Sequence, residues 1–286
     1  MPKPLDYSDL DPAQWREYPE IETDSLWLIG SRERGNGHQL DYHGNYVPQI
    51  ATQTFTRYTK RGEVVLDLFL GSGTSAIEAL RLGRRCLGVE LKQDLVSYVA
   101  TKIPPDRIGR DVVLLQGDSS APELTSKIQP AFAALGVERA QLLVLHPPYH
   151  DIIRFSDSPG DLSNAASTGQ FLDLFERVAR NGFELLQPGR FAVLVIGDKY
   201  TGGELVPLGF HCLERMNRAG FVTRALVVKN IEGNEVGKGR TNNLWRYRAL
   251  AGGFYIFKHE YVIIFQKPAA RRPASRGHHR EFPEAH

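Results

Sequence analysis

Two short stretches of this chain place reactive residue types where they can act together. The first is Asp67-Leu68-Phe69-Leu70-Gly71-Ser72-Gly73-Thr74-Ser75, which ends an apolar run and opens a helical one. Its glycines let the backbone turn tightly and approach a ligand without a Cβ clash. The N–H groups of the following helix start have no partners within the helix and suit a polar or anionic ligand group. Glu90, at the end of the next apolar run, is placed to accept from ribose hydroxyls, and Asp118 ends the run after that. Alone, this turn is shared by proteins that bind NAD, FAD or S-adenosylmethionine.

The second stretch is His146-Pro147-Pro148-Tyr149, which follows the apolar run QLLVL. Two prolines cannot continue a central strand, so the chain must leave the sheet stiffly there. Fixed carbonyls beside an aromatic ring suit a planar amine, which the carbonyl and side chain hold while the ring stacks on it. In isolation, the same tetrapeptide also fits a turn closed by a core tyrosine.

The elements that must position these groups alternate. Strands are expected at 63–70, 85–91, 112–118, 141–149, 190–198, 221–228 and 259–267. Helices are expected at 74–83, 93–102, 170–186 and 209–220, and from Pro48 to about Thr59. The strands are apolar enough to be covered on both faces. The expected fold is therefore α/β and Rossmann-like, a mostly parallel seven-stranded sheet with helices on each side and an inserted late segment.

Composition agrees with an ordinary globular chain. Of 286 residues, 42% are hydrophobic and 24% charged, and the formal net charge is +2. No run of about 18 apolar residues suggests a membrane span. The start, MPKPLDYSDLDPAQWREYPE, is acidic and proline-broken and does not read as a signal peptide. Two cysteines, Cys86 and Cys212, are too few for a disulfide framework or a cysteine-rich zinc site; both read as buried thiols in a reducing compartment. Charge is uneven: Arg218 to Lys258 holds eight Lys/Arg against Glu232 and Glu235. Such a segment suits a polyanion, or else forms a solvated basic face.

Together the two stretches resemble the amino-methyltransferases of DNA, which methylate cytosine N4 or adenine N6. That family pairs an Asp-x-Phe-x-Gly-x-Gly cofactor turn with an Asp/Asn/Ser-Pro-Pro-Tyr/Phe catalytic turn. The resemblance runs from about Tyr42 to Lys267. It includes HGNYVPQ (43–49), which looks like the family's cofactor-lid motif, and HEYVIIFQK (259–267), which looks like its late strand.

The resemblance implies S-adenosylmethionine as cofactor, with Phe69, Gly71, Gly73 and Thr74 forming its cradle. Asp67 would lie near the methionine amine, Glu90 at the ribose and Asp118 at the adenine amine. It implies Pro147 as the carbonyl that accepts from the target amine, within the turn His146-Pro147-Pro148-Tyr149, and Tyr149 as the ring that stacks on a flipped base. Double-stranded DNA is the implied partner, read by the segment 229–258 through Lys238, Arg240, Asn242, Asn243, Arg246 and Arg248. The loop 150–169 would be a lid over the base.

His146 departs from the family pattern. An uncharged imidazole matches the Ser-type turn better than the Asp-type, so cytosine N4 is expected and adenine N6 is the alternative. Less favoured are an RNA or protein amine or amide as substrate, and a DNA-binding homologue that has lost catalysis. Neither cysteine follows a proline, which disfavours cytosine C5 chemistry. The expected organisation is an arm (1–41), a catalytic domain (42–267) and a disordered tail (268–286). The expected setting is cytoplasmic, at the nucleoid when DNA is bound, with a homodimer and a cognate restriction enzyme left open.

Overall fold

Alternation along β2 (Val64–Asp67) and β5 (Ala140–Leu145) sets the layers. Val64, Leu66, Leu143 and Leu145 point into one core, whereas Val65, Leu142 and Val144 point into the other. A strand covered on both faces is apolar throughout, as these are. The computed structural model describes residues 5–33, 38, 44–150, 155–158, 160–231 and 242–269, apart from the side chains of 242–245.

The remaining strands of the main sheet are β1 (Leu26–Trp27), β3 (Arg85–Glu90), β4 (Val112–Gln116), β6 (Leu186–Ile196), β9 (Val222–Asn230) and β10 (His259–Gln266). They join β2 and β5 in the order β1-β9-β10-β6-β5-β2-β3-β4. The expected seven strands are therefore eight. The addition is β1, two residues from the amino-terminal segment that pair in parallel with β9 at Val228 and Lys229. Two residues are too short to show a period in sequence. Pairing with β9 defines them, and Trp27 is buried there.

One face of the sheet is covered by α4 (Leu124–Lys127), α5 (Gln129–Ala134), α6 (Thr168–Leu185) and α7 (Leu208–Arg218). The other face is covered by α1 (Pro48–Tyr58), α2 (Thr74–Arg81) and α3 (Gln93–Ala100). Helix α1 starts at Pro48, where the missing N–H costs nothing. Helix α6 is capped by Ser167, whose hydroxyl accepts from the Gln170 N–H at 3.1 Å. The cysteines lie in opposite cores, both buried and free. A hairpin of β7 (Lys199–Thr201) and β8 (Glu204–Val206), and helix α8 (Asn242–Gly252), complete the described elements. No helix among the described residues is long and apolar enough to cross a membrane.

In the main sheet all ladders are parallel except those of β10, which lies antiparallel between β6 and β9. That reversal has a chemical consequence. It puts the start of β10, not its end, beside the carboxyl ends of the parallel strands, where open α/β sheets bind ligands.

Residues of the segment 5–33 pack on the domain. The Ser8 hydroxyl donates to the Thr56 carbonyl at 3.0 Å, and Tyr7 meets Phe191 edge-on at 4.8 Å between ring centroids. The tail from 270 onward lies outside the described residues.

Candidate active site

The glycine turn is built around Asp67. Its carboxylate accepts the Phe69 N–H at 2.9 Å and the Ser75 hydroxyl. It is 1% exposed, and burial pushes it up to about 6. Asp67 thus lies beneath the turn, shaping it. Gly71 and Gly73 both take left-handed backbone (φ +54° and +91°), which side chains with a Cβ resist. A Cβ on Gly73 would come within 2.7 Å of Val99, so the start of α2 packs directly on α3. Thr74 is buried there as the first residue of α2.

Above the turn, the Gly71 N–H donates to Glu90 Oε2 at 2.9 Å, and the Lys92 N–H donates to Oε1 at 3.0 Å. Burial raises the Glu90 carboxyl, and these N–H groups partly offset it. Asp118 lies two residues beyond β4, with Oδ1 accepting from the Ser120 N–H and hydroxyl at 2.8 Å each. Gly160 lies against the other side of Asp118, so close that a Cβ would collide with its carboxylate. The HGNYVPQ segment meets the turn as well: Asn45 Nδ2 donates to the Ser72 hydroxyl, and the hydroxyls of Tyr46 and Ser75 share a hydrogen bond. His43 lies outside the described residues.

The proline turn leaves β5 directly. The His146 ring stands edge-on between Tyr46 (5.6 Å between ring centroids) and Tyr149 (5.7 Å). Burial, with Arg32 and Lys229 nearby, drives its pKa down to about 4 against a smaller opposing pull from Glu260. The imidazole is therefore neutral near pH 7. Tyr149 is backed by Gly197, where a Cβ would meet its ring at 3.0 Å, and its hydroxyl donates to Glu260 Oε2 at 2.9 Å.

Next in the chain, His150 has left-handed backbone (φ +54°), unusual for a residue with a side chain. Its ring bridges two elements: the Lys199 ammonium donates to Nδ1 at 2.6 Å, and Nε2–H donates to the Ala165 carbonyl at 2.9 Å.

One cleft of about 200 Å³ joins these groups. Phe69, Gly71, Glu90 and Asp118 line it together with His146, Pro147, Pro148 and Tyr149. Asp67, Gly73 and Thr74 do not line it; they shape the turn from below. From the loop after the proline turn, Phe155, Gly160, Asp161 and Leu162 line the cleft, while residues 151–154 and 159 lie outside the described ones.

The basic segment is only partly described. Lys238 and Arg240, and the side chains of Asn242, Asn243 and Trp245, lie outside the described residues; Arg246 and Arg248 are exposed on α8. Lys229, counted with that segment, is not a surface cation. It belongs to β9, is 4% exposed and donates to Glu260 Oε1 at 2.9 Å.

Sequence reasoning missed Glu260, Lys199 and His150. Glu260 had a signal, a lone acid among the apolar residues of the last strand.

A cradle of left-handed glycines, with a carboxylate at each of two neighbouring strand ends, fits a nucleoside cofactor. The donor and acceptor types suit S-adenosylmethionine, with Glu90 matching a ribose diol and Asp118 an amine.

Known proteins agree. A family model described as DNA methylase matches residues 3–101. The type II methyltransferase M.BglI of Bacillus subtilis is 29% identical over 87 residues, which are 30% of this chain and 23% of that protein. M.MjaII of Methanocaldococcus jannaschii is 28% identical over 83 residues, 27% of this chain and 16% of that one. The chain thus spans less than a quarter of the length of either relative. Among solved structures, the [4+2]-cyclase SpnF superposes with a TM-score of 0.51 over 85% of this chain and 88% of its own, at 15% identity, a likeness of fold. The matched segment runs through the glycine turn and Glu90, so it is in this amino-terminal third that the chain is similar to DNA methylases.

Proposed function

We propose that the protein transfers a methyl group from S-adenosylmethionine to the exocyclic N4 of a cytosine flipped out of double-stranded DNA. The observation that carries this reading is the single cleft shared by the glycine turn and His146-Pro147-Pro148-Tyr149. When bound there, S-adenosylmethionine supplies a methyl group already activated by its sulfonium. What remains for the chain is to bring an amine lone pair into line.

Phe69 and Gly71 cradle the cofactor, Glu90 takes its ribose and Asp118 its adenine amine. The Pro147 carbonyl accepts from the target amine, and the Tyr149 ring stacks on the base. His146, neutral because it is buried, accepts a second hydrogen bond through a ring nitrogen. An uncharged acceptor here supports cytosine over adenine. Arg246 and Arg248, exposed on α8, contact DNA phosphates or base edges, with Lys238, Arg240, Asn242 and Asn243 from the same segment.

The test is incubation with S-adenosylmethionine and unmethylated genomic DNA, then digestion to nucleosides and mass spectrometry. N4-methylcytosine is expected. N6-methyladenine would overturn the choice of base, and no methylated nucleoside from cofactor-binding protein would overturn DNA as the substrate.

A further inference from the structure

The antiparallel β10 brings into the cleft a carboxylate that neither sequence motif contains. Glu260 lines the cleft beside His146 and Tyr149. Its two oxygens accept from the Tyr149 hydroxyl and the Lys229 ammonium, each at 2.9 Å. A carboxylate has lone-pair room for about four such bonds, so acceptor capacity remains beyond these two. Glu260 and Lys229 are both buried, at 8% and 4% exposure. Taking a charge pair out of water is costly, and packed apolar residues usually serve stability as well or better. The pair therefore calls for a chemical reason, and its place in the cleft supplies one.

His146 stands where an acid often stands in this turn. A neutral imidazole offers one acceptor and no negative charge. Burial above all, with Arg32 and Lys229, outweighs the opposing pull of Glu260 and disfavours a positive charge on it, so it accepts a hydrogen bond more readily than a proton. Yet a methylated amine must lose a proton.

We propose that Glu260 is a second catalytic residue of this pocket, which takes the proton that the target nitrogen sheds once it carries the methyl group. This rests on the amine-methylation reading above. The nitrogen lone pair forms the bond to the methyl carbon while the carbon–sulfur bond of the sulfonium breaks, its electron pair staying on sulfur. One N–H bond then breaks and its pair returns to nitrogen. The proton passes to a Glu260 oxygen and from there to water, which resets the carboxylate. Lys229 fixes the orientation of that carboxylate. Tyr149 ties it to the ring that stacks on the base.

The experiment compares E260Q, E260D and Y149F with wild type in the full chain. It measures kcat and KM for DNA by nucleoside mass spectrometry, and S-adenosylmethionine affinity by calorimetry. E260Q should lower kcat by about 100-fold or more, the range expected for general-base catalysis, with cofactor affinity within about threefold of wild type. E260D, which keeps the charge, should recover at least about tenfold of that loss. Y149F keeps the ring and loses only the bond to Glu260, so it should cost less than about tenfold. The double variant K229M/E260Q removes both buried charges together and should show the same kcat loss if E260Q folds poorly. Equal losses in E260Q and Y149F would overturn the proposal, because Glu260 would then act only by holding Tyr149. Wild-type kcat in E260Q would also overturn it. A wild-type protein that binds cofactor but methylates no base would overturn the amine-methylation reading itself, a result distinct from both.

Discussion

The Tyr149 hydroxyl and the Glu260 carboxylate, 111 positions apart in the chain, meet at 2.9 Å. The contact exists because β10 runs antiparallel to β6, which sets Tyr261 opposite Ile196 and leaves Glu260 at the end of the sheet where the proline turn emerges. It makes Tyr149 of the proline turn part of a chain of polar groups that ends at Lys229, and under the proposed function the ring of Tyr149 is the platform for the target base.

Removing that platform should be costly. Y149A is expected to lower kcat/KM on DNA by about 1–3 kcal/mol, the range for a base stacked on an aromatic ring. Steady-state methylation at saturating cofactor measures it, and calorimetry should show cofactor affinity close to wild type.

Lys229 should matter for stability. K229M leaves the Glu260 charge buried without its cation and should destabilise the fold by about 3–5 kcal/mol. In the double variant K229M/E260Q most of that loss should return, since no charge is then left unpaired. Urea denaturation of the single and double variants checks this.

Two desolvated groups should oppose each other in acid. His146 titrates near 4 in the fold instead of 6.5, so the unfolded chain takes up the proton first and stability falls as pH drops from 6.5 toward 4. Asp67 titrates near 6 instead of 3.8, so the folded chain takes up the proton first and stability rises as pH drops from 6 toward 3.8. Each effect is about 3 kcal/mol at most, at about 1.4 kcal/mol per pKa unit. H146Q should therefore gain stability relative to wild type as pH falls through this window, and D67N should lose it. Denaturation at pH 7 and pH 4.5 gives the two differences.

Gly160 should control cofactor affinity. A methyl group there collides with the Asp118 carboxylate, so G160A must shift either the loop or the acid. Overpacking of this kind costs about 1–3 kcal/mol. Calorimetry should show S-adenosylmethionine binding weakened by about tenfold or more, and DNA affinity measured without cofactor should be unchanged.

Arg246 is exposed on α8. If it meets a phosphate, R246A should reduce the slope of log K against log salt for DNA binding by about 1. Fluorescence anisotropy across a salt series measures that slope.

Much of the site was legible because its parts are local. The glycine turn from Asp67 to Ser75 and the turn from His146 to Tyr149 are runs of neighbouring residues, whose backbone limits follow from glycine and proline alone. Alternating apolar runs were enough to expect an α/β sheet. The helix pair Leu124–Lys127 and Gln129–Ala134 went unassigned because each is shorter than two full turns and shows no clear period.

The sequence by itself determined the local chemistry: which backbone can approach a nucleoside, and which turn can present an amine acceptor and a ring. Only the tertiary structure decided which distant groups join them. The reversal of β10 delivered Glu260 and its partner Lys229, and pairing with β9 turned Leu26 and Trp27 into an eighth strand. Burial made His146 neutral and drew Asp67 beneath the turn instead of into the cleft. The physical reason is range. Backbone sterics act between neighbours in the chain, whereas desolvation and charge pairing depend on what packs nearby, which strand order and direction decide.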